Sequence, residues 1–187
     1  PYCFEQQNDY QSSGIIDFGI RVNNHSWIVI EGRGWRGIAV HGFGRAGVRM
    51  DHGSHHITVR NLEIYNNGYA NRGSRGWFPD GVGIRLAGHN VLLERNIIHD
   101  NGQDASQSIW GDNGIRDLRI SQSWHHNRRP HPTVDESWNY CTHTDGMQLY
   151  DGGFITGVTI EESVIGPGFT NNMIMGHLRT QGVVKVR

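Results

Sequence analysis

Short alternations of apolar and polar residues recur along the chain in a fixed order. The first kind starts on glycine: Gly19-Ile20-Arg21-Val22, Gly47-Val48-Arg49-Met50 and Gly83-Ile84-Arg85-Leu86, with Gly146-Met147-Gln148-Leu149 as a fourth copy carrying Gln in place of Arg. A short polar turn and a second alternation follow each of them: Ile28-Val29-Ile30, Ile57-Thr58-Val59, Val91-Leu92-Leu93, Leu118-Arg119-Ile120, Val158-Thr159-Ile160 and, as a sixth, Val184-Lys185-Val186. A third short segment comes next, Leu62-Glu63-Ile64, Ile97-Ile98 or Val164-Ile165. Asn66-Asn67-Gly68 and Asp100-Asn101-Gly102 then hold the same turn position. Period-two alternation predicts strands, because successive side chains of a strand point to opposite faces. The second segments begin at residues 28, 57, 91, 118, 158 and 184, so the repeat is 29, 34, 27, 40 and 26 residues long. A preserved core at variable spacing predicts coils that carry loop insertions.

Three short strands per repeat, with Gly and Asn at the corners, describe one turn of a parallel β-solenoid. The fold class read from the chain is therefore all-β, a single-stranded solenoid of about six coils with three short strands in each. Neighbouring coils would stack about 4.8 Å apart, so that residues distant in sequence form rows. Ile, Val, Leu and Met would line the interior. Asn96, Ser123 and Ser163 fall at one position and predict an inward polar ladder at a corner. A β-sandwich also has many short strands, but not in ordered triplets. A β-propeller needs four strands per blade and a repeat of about 40 residues.

The pattern of glycine, apolar, polar, apolar, then Val-Thr-Ile-type strands, then Asn-Asn-Gly resembles the right-handed parallel β-helix repeat proteins of the pectate-lyase-like group, over about residues 14–187. Right-handedness is what the resemblance implies. The group includes pectate and alginate lyases, polygalacturonases, uronate epimerases, phage tailspike depolymerases and adhesins without enzymatic activity, so the resemblance speaks to fold more than to reaction.

Length and composition agree with one β-helix domain over residues 1–187, with 1–13 as a lead-in and insertions at 69–80, 103–113 and 128–144. Gly accounts for 26 residues without a three-residue period, which excludes collagen. No apolar run approaches the 18 or so residues of a membrane span. The formal charge of −1 supplies no overall field for nucleic acid or membrane. With 12 His, the net charge would move toward +11 in acid. All cations but Lys185 are Arg, the side chain that grips carboxylates and sulfates bidentately. Cys3 and Cys141 are too few for a disulfide scaffold, although they could pair in an oxidising compartment. The start lacks the basic end and apolar stretch of a signal peptide, and the end stops within a strand-like pattern; a processed chain, a fragment or an end covered by another chain is expected.

Three sets of residues could carry chemistry. The first is the outward row Arg21, Arg49 and Arg85, continued by Gln148: either a track for uronate carboxylates or sulfates, or a ladder fanned into solvent or paired to nearby Asp. The second is the insertions, all of which should emerge on one side because each follows the third strand of its coil. They carry Trp77, Trp110 and Trp138 with His143 and several Arg, a composition suited to sugar rings, to packing the loops down, or to contact with another chain. The third is the set of Asp-Gly corners. Asp80 and Asp145 precede first strands, and Asp112 falls on the coil between; they could bind Ca²⁺, act as acid and base, or cap their own turns. His143-Thr144-Asp145-Gly146 resembles the Asn-Thr-Asp-Gly motif of polygalacturonases, whose further elements are missing: no Asp-Asp pair follows, Gly176-His177-Leu178 stands for Gly-His-Gly, and Val184-Lys185-Val186 comes too early for the Arg-Ile-Lys element. Lyases of the group commonly use Ca²⁺ with an Arg or Lys base. The pairs His55-His56 and His125-His126 should face opposite sides of their strands and chelate poorly, and His52, His55 and Asp51 share a turn. No zinc, phosphate-loop or nucleophile-elbow motif is present.

These readings combine into an expectation: a secreted or cell-surface β-helix that binds acidic polysaccharide along one face and acts as a lyase, epimerase or hydrolase. Asp80, Asp145 and Arg85 would be catalytic. Arg49, Gln148, Trp77, Trp110, Trp138 and His143 would hold substrate, and Asp80, Asp112 and Asp145 would bind Ca²⁺. The alternative is a structural or adhesive solenoid that assembles with itself end to end or as a trimer.

Overall fold

The computed structural model describes residues 18–43, 45–67, 82–101, 109–111, 115–126, 146–149, 156–168, 174–176 and 184–186. Their strands come in threes, and each triplet is called a tier. The first tier is β1 (Phe18–Val22), β2 (Ser26–Glu31) and β3 (Ile38–His41); the second is β4 (Ala46–Met50), β5 (His55–Arg60) and β6 (Leu62–Tyr65). The third is β7 (Val82–Leu86), β8 (His89–Glu94) and β9 (Ile97–His99); the fourth is β10 (Ile109–Gly111), β11 (Arg116–Ser121) and β12 (Trp124–His126). The fifth is β13 (Met147–Leu149), β14 (Thr156–Glu161) and β15 (Val164–Ile165), followed by β16 (Ile174–Gly176) and β17 (Val184–Val186). Each strand from β1 to β14 pairs, in parallel, with the strand three further along the chain. The first sheet is β1-β4-β7-β10-β13-β16, the second β2-β5-β8-β11-β14-β17 and the third β3-β6-β9-β12-β15. The described residues are thus all-β, in three parallel sheets of short strands, an arrangement compatible with a solenoid. No helix among them is long and apolar enough to cross a membrane.

Register converts the sequence repeat into rows of like side chains. Val48 lies between Ile20 and Ile84, Ile57 between Ile28 and Val91, and Ile64 between Val40 and Ile98. These residues form one apolar cluster shared by the three sheets. Each fully buried aliphatic side chain contributes about 1.5–3 kcal/mol relative to exposure. In the first tier Ile20, Ile28, Ile30 and Ile38 are only partly buried, because a described neighbour covers them from one side alone.

The predicted polar ladder is present at the corner between the second and third sheets. The Leu62 N–H donates to Asn96 Oδ1 at 3.1 Å, the Asn96 N–H to Ser123 Oγ at 3.2 Å, and the Ser123 N–H to Ser163 Oγ at 3.1 Å. Asn96 Nδ2 also donates to the Val59 carbonyl at 2.9 Å. Asn67 and Asn101 repeat the device at the next corner, with Asn67 Nδ2 donating to Asn101 Oδ1 at 2.8 Å. These side chains satisfy backbone groups that the turning chain would otherwise bury unpaired.

Gly47 has no room for a side chain: a Cβ would lie 2.5 Å from Ile64 Cγ2 and 2.8 Å from Asn67 Nδ2. This close approach of the first sheet to the corner explains the glycine that opens the Gly-x-Arg-x unit. A second constraint repeats along the second sheet, where each tier places one residue in the left-handed region. That row is Trp27 (φ 61°), His56 (φ 55°), Asn90 (φ 52°), Asp117 (φ 52°) and Gly157 (φ 67°). Asn, Asp and Gly tolerate this conformation, whereas a bulky side chain there costs about 1–2 kcal/mol.

Candidate functional site

Alternation within Gly-Val-Arg-Met turns Val48 and Met50 inward and Arg49 outward, and the same holds around Arg85. Strand pairing aligns Arg21 with Arg49, Arg49 with Arg85, Arg85 with Trp110, and Trp110 with Gln148. The row read from the sequence therefore exists, with Trp110 set between Arg85 and Gln148. The sequence reading placed Trp110 in the insertion 103–113; in the structure Ile109–Gly111 form β10 and join the first sheet. Three residues without an opening glycine gave too short a signal to separate strand from loop.

Asp51, directly after β4, organises the start of this row. Arg21 Nε donates to Asp51 Oδ2 at 2.6 Å, and Arg49 Nε donates to Oδ1 of the same carboxylate. Both guanidinium groups also sit over the Phe18 ring, 5.7 Å (Arg21) and 4.7 Å (Arg49) from its centroid. Burial alone would push the Asp51 carboxyl up; the hydrogen bonds from Arg21 and Arg49 outweigh burial and hold it below the usual range. Each of these two Arg spends one of its five donors on Asp51. Two like charges about 4.8 Å apart repel by roughly 1 kcal/mol in water, and the shared carboxylate offsets that cost. Pairing to a nearby Asp thus holds for Arg21 and Arg49, which share one carboxylate.

The remaining predicted residues, Trp77, Asp80, Asp112, Trp138, His143 and Asp145, lie outside the described residues, as do Cys3 and Cys141. By chain position Asp80 stands two residues before β7 and Asp145 two before β13, whereas Asp112 directly follows β10. Among the described residues no group of three or more His, Cys, Asp or Glu is placed to hold a metal ion. Asp51, the carboxylate the structure does put on this row, is taken by two guanidinium groups and does not fit a cation ligand.

The histidine pairs divide. His125 and His126 do point to opposite sides: His125 is fully buried in register with Ile98 and Ile165, and His126 stacks on His99 with centroids 4.8 Å apart. His55 and His56 instead meet, their Nδ1 atoms 2.7 Å apart, which corrects the expectation for this pair. The left-handed backbone at His56 breaks the alternation that would have separated them.

One cluster was not singled out from the sequence. On the outer face of the third sheet, His41, Tyr65, His99 and His126 are in register, and their rings stack at 4.8, 5.2 and 4.8 Å. Glu63 meets Arg36 and lies 3.1 Å from His99 Nε2, while His99 Nδ1 lies 2.9 Å from Asp100 Oδ2. Burial would raise the Glu63 carboxyl, but hydrogen bonds to Arg36 and His99 lower it below the ordinary value. The signal was legible in retrospect: His41-Gly42, Tyr65-Asn66, His99-Asp100 and His126-Asn127 each put a ring just before a turn residue. No protein-family model, curated protein or solved structure matches this chain.

Proposed function

We propose that the three parallel sheets are the walls of a right-handed parallel β-helix of the pectate-lyase-like kind, and that the outer face of the first sheet binds an acidic polysaccharide outside the cell or at its surface. The observation that carries this reading is the in-register row Arg21, Arg49, Arg85, Trp110, Gln148. Guanidinium groups held at strand spacing would meet successive uronate carboxylates, and Gln148 would add hydrogen bonds to hydroxyls. Under an eliminating mechanism Arg85 would neutralise a uronate carboxylate, which eases loss of the neighbouring proton, with Asp80 and Asp145 as acid and base.

Affinity electrophoresis in gels containing polygalacturonate, alginate or chondroitin sulfate tests the binding. The chain should be retarded by at least one of them, less so at high salt. Replacing both Arg49 and Arg85 by Ala should weaken that retardation by about tenfold or more. No retardation on any of the three would end the proposal. Incubation with the same glycans, with and without Ca²⁺, separates the reactions: absorbance near 235 nm marks elimination, and new reducing ends without it mark hydrolysis. A second reading, self-assembly, is favoured by the partly exposed inward residues of the first tier and by the edges that β1, β2 and β3 form among the described residues. Sedimentation that depends on concentration would support it; a monodisperse monomer would count against it.

A further inference from the structure

The left-handed residue of the second tier brings together two side chains that an extended strand would hold apart. His55 and His56 are neighbours in β5, and a strand sends neighbours to opposite faces. His56 has φ 55°, and its Nδ1 comes to lie 2.7 Å from His55 Nδ1. Among the described residues the same two positions hold Ser26-Trp27, His89-Asn90, Arg116-Asp117 and Thr156-Gly157, so this tier alone pairs imidazole with imidazole. Each ring is also held from a second side. His89 stacks on His55 with centroids 5.0 Å apart, and Trp27 stacks on His56 at 4.0 Å. The two imidazole planes stand at 77° to each other, and both residues are half-buried.

At 2.7 Å the two nitrogens hold one hydrogen between them: one ring donates it and the other accepts. A metal ion can take its place. Imidazole nitrogen binds such ions at about 2.0 Å, so neighbouring corners of a square-planar site lie about 2.8 Å apart, and those of a tetrahedral site about 3.3 Å apart. The observed separation matches the square-planar spacing. Seating the ion asks the rings to turn both lone pairs toward a common point, without moving apart. We infer that Nδ1 of His55 and Nδ1 of His56 form a two-nitrogen chelate for a divalent ion of tetragonal preference, Cu(II) first among them by affinity. The ring that donates the shared hydrogen moves it to Nε2 through solvent, so both rings bind neutral. Water takes the remaining corners, because no third His, Cys, Asp or Glu among the described residues is placed to join the pair. The chelate lies on the second sheet and does not depend on the Arg row of the first.

The test is equilibrium dialysis of the whole chain against Cu(II) at about 10 μM free ion, followed by measurement of bound copper and its electron paramagnetic resonance. The parent should hold one equivalent more than His55→Ala or His56→Asn, each of which should bind that equivalent about tenfold more weakly or worse. The additional copper should give an axial spectrum split by two in-plane nitrogens. His52→Ala, an exposed neighbour outside the pair, should keep it. Asn is at ease in the left-handed conformation, so copper-free His56→Asn should melt close to the parent, which separates loss of a ligand from loss of the fold. Three results overturn the inference: equal copper content of the parent and both pair variants, additional copper that shows fewer than two nitrogens, or loss of the same equivalent from His52→Ala, which would mark loose adsorption by surface histidines.

Discussion

Replacing His125 by leucine should change how the stability of the protein responds to acid. His125 is fully buried in the aliphatic row that contains Ile98 and Ile165. Burial, with a smaller push from the charge of His126, lowers its ring from 6.5 to about 4. The unfolded chain therefore takes up a proton at this residue at a higher pH than the folded chain does. Stability due to the neutral ring is complete above about pH 6.5, falls as pH drops from there toward 4, and is gone below that value. At 1.36 kcal/mol per unit, the loss amounts to about 3 kcal/mol. Urea unfolding of parent and His125→Leu at pH 7.5, 6, 5 and 4 reads it directly. The stability of His125→Leu minus that of the parent should rise by about 3 kcal/mol between pH 7.5 and pH 4, whatever its offset at pH 7.5. A difference constant to within about 0.5 kcal/mol would show that the buried ring is not kept neutral by its surroundings.

Three other substitutions probe the frame and the row. Asp51→Asn removes the carboxylate shared by Arg21 and Arg49; it should lower unfolding free energy by about 1–3 kcal/mol and strengthen retardation by polygalacturonate, since the row gains one net positive charge. The Asp51 carboxyl is held low, so the stability it contributes persists at neutral pH and disappears only as pH falls below the ordinary carboxylate range; acid titrations of parent and Asp51→Asn should converge there. Gly47→Ala forces a methyl group against Ile64 and Asn67 and should cost about 1–3 kcal/mol in denaturant titration. Asn96→Ala strands the Leu62 N–H and the Val59 carbonyl and should cost about 2 kcal/mol or more by the same measure.

The triplet of strands and its rows were readable because alternation and glycine placement recur in each tier. Asn96, Ser123 and Ser163 could be aligned before any coordinates, since each follows the same strand at the same distance. Trp110 could not: Ile109–Gly111 is too short to alternate. The meeting of His55 with His56 was also hidden, because alternation assumes extended backbone and His56 leaves it. Asp51 appeared in the sequence only as one member of a turn; its role depends on Arg21, thirty residues earlier, which pairing brings within 2.6 Å. Glu63 was visible as a strand residue and His99 only as the residue after the Ile97-Ile98 segment; they stand 36 positions apart, and their contact exists only across stacked strands.

Pairing each strand with the third one after it leaves no hairpin among the described strands from which assembly could start. Val40 must find Ile64, 24 residues on, and Ile120 must find Ile160, 40 residues on. For flexible chain the longer closure is dearer than the shorter by only about 0.5 kcal/mol, because the entropy grows with the logarithm of length. Excursions between tiers can therefore lengthen with little thermodynamic consequence, while refolding rate, which depends on such distant encounters, should be slow throughout and should hardly distinguish the long excursions from the short.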